Sequence, residues 1–93
     1  MFLEIVTPEA ILFSSEVDSI SVPGLDGDFQ ILNYHAAIVS VLKAGEIKIK
    51  ASNYDIKEKF QDKFTKTTDG KFSLIINSGT LELNDNKTII LAD

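Results

Sequence analysis

The residues best suited to chemistry gather in one stretch, 22–35, reading VPGLDGDFQILNYH: the only His of the chain, two Asp two residues apart, and an Asn beside two Gly and a Pro. His35 is the one candidate general base or imidazole ligand, and Asp26 and Asp28 are the one close carboxylate pair beside it. A zinc site needs three or four ligands at set spacing, and a lone His in a chain without Cys does not supply them. Acid/base catalysis needs two carboxylates in different environments, whereas acids flanking a Gly are ordinarily solvated turn residues. LDGDF lacks the alternating acids and the twelfth-position Glu of a calcium loop. Phosphate-loop, dinucleotide-loop and nucleophile-elbow motifs do not occur either. The residues therefore predict recognition rather than bond chemistry, with no cofactor and no metal.

The elements that must hold this stretch are short and β-like. Turn signals recur at Thr7-Pro8, Ser14-Ser15, Pro23-Gly24, Asp26-Gly27, Asn33, Ala44-Gly45, Asp69-Gly70, Ser78-Gly79 and Asp85-Asn86. Between them lie β-rich runs at 2–6, 11–13, 17–22, 29–32, 37–42, 46–51, 71–77, 80–84 and 87–91. The chain is predicted to be all-β, a single domain over 1–93 built as a flattened two-sheet β-sandwich of 8–10 short strands. Alternation is cleanest at 46–51, where Ile47, Ile49 and Ala51 share one face and Glu46, Lys48 and Lys50 the wet one. Parity slips between Val17 and Ile20, which predicts a kink near Asp18-Ser19 where the chain bulges or bends from one sheet into the other. Asp85-Asn86 and Asp69-Gly70 read as two-residue hairpins with positive φ.

Segment 53–63, NYDIKEKFQDK, breaks the rhythm: Ile56, Phe60 and Phe64 recur at four residues while Glu58 and Asp62 spoil a strand pattern. A short amphipathic helix near 55–63, capped by Asp55 with Glu58 completing a capping box, is the expectation.

Charge and composition exclude several classes. The net charge is −5 and all nine basic residues are Lys, so there is no Arg fork for phosphate or guanine and nucleic acid is not an expected partner. No run approaches the ~20 apolar residues of a membrane span, so membrane contact is expected only through partners. The N-terminus carries no export signal and the chain no Cys, which points to a reducing, intracellular compartment.

The stretches LEIVTPEAILFSSEVDSISVPGLDGDFQILNYHAAIVSVLKAGEIKI and INSGTLELNDNKTIILAD resemble the N-terminal β-sandwich of the epsilon subunit family of F-type ATP synthases. The family pattern V-x-G-x-x-G-x-x-G-I-x-P-x-H-x-P-L, a following K-x-G turn, a G-G-x-x-E-V strand start and a final V-L-A-D are met at Val22, Gly24, Gly27, Ile31, His35, Lys43, Gly45, Gly79, Glu82 and Leu91-Ala92-Asp93. Gln30, Asn33, Ala37 and Ser78 depart from it, two of them replacing Pro and so loosening the loop. The segment 51–72 is longer than usual for the family.

The resemblance implies a central-stalk subunit that binds gamma and the c-ring, couples proton-driven rotation to ATP synthesis and carries no catalytic residue. It also implies a peripheral position on the cytoplasmic side of the bacterial inner membrane. Asp28 and His35 match the positions that would contact the c-ring, and Gly24, Gly27, Gly45 and Gly79 those that shape turns. The chain ends at Asp93, so the two inhibitory C-terminal helices of many family members are not expected. A free-standing β-sandwich binding module is the alternative, weakened by the lack of Trp and by having only Tyr34 and Tyr54 as polar aromatics.

Overall fold

The computed structural model describes residues 1–67 and 70–93. Ten strands follow in order: β1 (Phe2–Val6), β2 (Ile11–Glu16), β3 (Ser19–Gly24), β4 (Gly27–Leu32), β5 (Ile38–Leu42), β6 (Gly45–Lys50), β7 (Phe64–Lys66), β8 (Lys71–Ile76), β9 (Gly79–Asn84) and β10 (Lys87–Ala92). A 3₁₀ helix, Glu58–Lys63, precedes β7. The strands form one hydrogen-bonded path, β2-β1-β10-β9-β5-β3-β6-β8-β7, with β4 paired to β3. The path folds over into two layers within 32 × 25 × 24 Å, giving the expected all-β sandwich.

The crease between layers lies between β5 and β3. Only Gly24 pairs with Leu42 there, and beside it the Lys43 N–H donates to the Pro23 carbonyl at 2.9 Å. Proline has no N–H to continue a ladder, so Pro23 lets β3 leave β6 and reach β5. One layer is then β2-β1-β10-β9-β5 and the other β4-β3-β6-β8-β7. The core between them includes Leu3, Ile5, Ile20, Val22, Ile31, Ile47, Ile49, Leu81, Leu83 and Ile90, all at most 1% exposed. At about 1.5–3 kcal/mol per buried aliphatic side chain, this set is the main drive to fold.

The parity slip at Val17 is the passage from one layer to the other. Val17 is buried and Asp18 exposed between β2 and β3; their N–H groups donate to the Met1 and Lys50 carbonyls at 2.8 and 2.7 Å. The bend needs no bulge because Val17 belongs to neither strand. Asp85 and Asn86 turn β9 into β10 with φ of 50° and 60°, the hairpin geometry expected of that pair. Of the expected Asp69-Gly70 hairpin, Gly70 has the positive φ, at 79°, while Asp69 lies outside the described residues.

The helix differs from expectation. It begins at Glu58, is 3₁₀ rather than α, and its N-cap is Lys57 with no side-chain cap, so Asp55 and Glu58 make no capping box. Six residues are too few to repay an α-helical nucleus, and packing decides the shape instead. Tyr54, Ile56, Phe60 and Phe64 sit against the core. Phe13, Phe64, Phe72 and Tyr54 form an aromatic cluster, with Tyr54 stacked on Phe72 at 4.3 Å and Phe13 and Phe64 centred 6.2 Å apart. The 53–64 segment thereby closes the side of the sandwich where β2 and β7 share no backbone pairing.

Candidate interaction surfaces

Asp28 and His35 are both exposed but do not meet. Asp28 pairs with Pro23 next to the β3-β4 turn, and His35 lies beyond the far end of β4. Four residues of strand, at about 3.3 Å each, put about 13 Å between Asp28 and Leu32 alone. The stretch that reads as one loop is therefore a hairpin and a separate connection, with Asp28 and His35 at opposite ends of β4.

At the Asp28 end, Leu25 and Asp26 turn between Gly24 and Gly27, and the left-handed step falls on Gly27 at φ 127°. Close approach fixes the other glycines. A Cβ on Gly79 would stand 2.8 Å from the Leu91 carbonyl, and one on Gly45 would stand 2.8 Å from the Pro23 Cβ. On Gly24 it would meet the Phe29 ring at 2.8 Å. At Gly24, Gly27, Gly45 and Gly79 a side chain is disfavoured.

At the His35 end, hydrogen bonds replace the rigidity that proline would give. The Tyr34 N–H donates to Asn86 Oδ1 at 2.8 Å, the His35 N–H donates to the Leu32 carbonyl at 3.3 Å, and Asn33 Oδ1 accepts from the Met1 amino group. Tyr34 takes φ 64° to make this possible. His35 Nδ1 lies 2.7 Å from the Ala36 carbonyl, so that nitrogen carries the proton and the rest of the ring faces solvent. No cluster of three or more His, Cys, Asp or Glu suited to a metal occurs among the described residues.

A second surface was not anticipated from the sequence. Register places Ile11, Val6, Leu91, Thr80 and Val41 in one row across β2, β1, β10, β9 and β5 on the outward face. Ile11, Val41 and Leu91 are each at least half exposed. Beside this row stand Val39, 79% exposed, and Ile89, with Glu4 and Glu82 as their register partners. Four inter-strand gaps of about 4.8 Å make the stripe about 19 Å long. Its signal was present: β1 (FLEIV), β5 (IVSVL) and β10 (KTIILA) carry apolar residues at both parities, as strands covered on both faces do, whereas β6 (GEIKIK) alternates.

The whole of 1–93 matches the family model of the ATP synthase, Delta/Epsilon chain, beta-sandwich domain. The chain belongs to this family. It is 37% identical over 91 residues to an ATP synthase epsilon chain of Chlorobium limicola, covering 98% of this chain and 86% of that one. A Campylobacter curvus epsilon chain is 38% identical over 95 residues, and there the match spans all of this chain but 60% of the relative. Among solved structures, the fold is shared with a chain of the Tetrahymena thermophila mitochondrial ATP synthase central stalk and c-ring, at a TM-score of 0.74 and 20% identity over 99% of this chain and 62% of that one. No helix among the described residues is long and apolar enough to cross a membrane.

Proposed function

We propose that this delta/epsilon domain is a central-stalk subunit of a rotary F-type ATP synthase, binding gamma through the apolar stripe and the c-ring through the end that carries Asp28. The observation that carries the proposal is the stripe itself: an outward row of Ile11, Val6, Leu91 and Val41 on a domain whose core is otherwise closed. Contiguous exposed apolar surface rimmed by acids such as Glu4 and Glu82 marks a protein interface. Gamma is assigned to it because torque transfer needs a broad contact that resists shear, in the range above about 1,000 Å² in total.

Asp26 and Asp28, beside the exposed Leu25, form a small acidic end suited to the polar loops of a ring. His35, at the other end of β4, enters the proposal as a separate ring contact, testable by itself. Such a subunit couples proton-driven rotation to ATP synthesis mechanically and leaves bond chemistry to other subunits. It would lie peripherally on the cytoplasmic side of a bacterial inner membrane, touching the membrane only through the complex.

Co-expression with the host's gamma subunit and size-exclusion chromatography test the stripe. Wild-type chain should co-elute with gamma, and Val41→Glu with Leu91→Glu should elute alone while melting as wild type does. A double variant that still co-elutes would remove the stripe from the interface, and a wild-type chain that never binds gamma would overturn the stalk reading.

A further inference from the structure

The outer edge of β4 is open to pairing in a way that the other edges are not. Among the strands that end a ladder, β7 is three residues long and carries Lys66, and β2 has its register broken between Ile5 and Val6. Short edges, lysines and bulges are the usual means of blocking edge pairing. β5 is tied to β3 at Leu42, and its outward Val39 and Val41 lie along the apolar stripe. β4 has none of these features: its six residues run in unbroken register with β3, without Lys or Pro.

Two hydrogen bonds fix the direction of its backbone groups. The Lys43 N–H donates to the Pro23 carbonyl at 2.9 Å, so the Pro23 backbone faces β5, away from β4. Bonded and non-bonded pairs alternate along an antiparallel ladder, so Ser21 and Ser19 face away from β4 as well. Their register partners Gln30 and Leu32, like Asp28 opposite Pro23, therefore turn N–H and C=O to the open side. The His35 N–H donates to the Leu32 carbonyl at 3.3 Å, as an outward carbonyl allows. The outward backbone groups of Asp28 and Gln30 have no hydrogen-bond partner among the described residues.

The side chains along this edge select what covers it. Asp28 is exposed, as is Asp26 in the preceding turn, so that end is acidic. Leu32 is 56% exposed at the other end, and Phe29 between them is only half-buried against the core. We infer that β4 accepts an extended segment of a partner polypeptide as an added strand, with a basic side chain opposite Asp28 and apolar ones against Phe29 and Leu32. In such pairing main-chain hydrogen bonds supply the affinity and alternate side chains the specificity. The inference stands on the geometry of β4 and does not depend on the stalk reading.

The test is amide NMR of the chain at constant ionic strength, titrated with a capped peptide alternating Val with Lys and, separately, with one alternating Val with Glu. Saturable shifts and slowed hydrogen exchange are expected at residues 28, 30 and 32 with the Lys peptide, and weaker binding with the Glu peptide. Gln30→Pro removes an N–H that bonds nothing in β3, so it should keep the fold and abolish binding. Asp28→Lys leaves the backbone edge intact and should reverse the preference between the peptides. Equal binding of the two peptides, shifts centred away from β4, or binding that survives Gln30→Pro would overturn the inference. A peptide-free dimer in sedimentation that Gln30→Pro disperses would overturn it in favour of a second copy of this chain.

Discussion

Single residues carry the local geometry, and their roles separate cleanly by substitution. Asn86 turns β9 into β10 in the left-handed region and also accepts the Tyr34 N–H. Asn86→Ala should cost about 1–2 kcal/mol, combining backbone strain with a lost hydrogen bond. Asn86→Gly removes only the second and should cost about 1 kcal/mol or less, offset by the relaxed turn. Denaturant melts of the two variants give the comparison, and equal losses would show that the turn strain is absent. Gly79→Ala, whose Cβ would press on the backbone carbonyl of Leu91, should cost about 1–3 kcal/mol, since a carbonyl inside a ladder cannot swing aside. Charge reversal at Asp28 together with His35→Ala should leave stability within about 0.5 kcal/mol, because both side chains are exposed. A large fall in melting temperature would make these residues structural.

Individual elements show what the sequence made legible. β6 and the Asp85-Asn86 hairpin were readable because strict alternation and left-handed-tolerant residues each have one local solution. The helical insertion was readable as an interruption packed through Ile56, Phe60 and Phe64, but not as 3₁₀, because tertiary contact rather than capping sets a turn this short. The Phe64–Lys66 strand was missed for the same reason: three residues carry no period, and only pairing with β8 defines them. The separation of Asp28 from His35 was also hidden, since turn residues cluster in sequence whether or not a strand runs between them. At this scale the aromatic closure predicts an ordering. Phe72→Ala, fully buried beneath Tyr54, should cost about 3–5 kcal/mol, and Phe60→Ala, half-buried on the insertion, clearly less. Thermal melts showing the two alike would mean that the insertion is as integral as the sheet.

For the whole molecule, one continuous sheet creased at Pro23 and Gly24 gives two layers whose outer faces differ in kind. The first presents an apolar stripe, the second lysines together with the exposed Leu32 and Ile75, and one end of β4 the Asp28 turn. Such segregation suits a part held between several partners at once, and family membership over 1–93 gives those partners an identity to test. The central claim is mechanical coupling, so its most direct measurement is proton-driven ATP synthesis in inverted membrane vesicles from cells lacking the protein. Synthesis should be lost while ATP hydrolysis by the soluble head persists, and adding the chain back should restore it. Undiminished proton-driven synthesis in its absence would contradict the account.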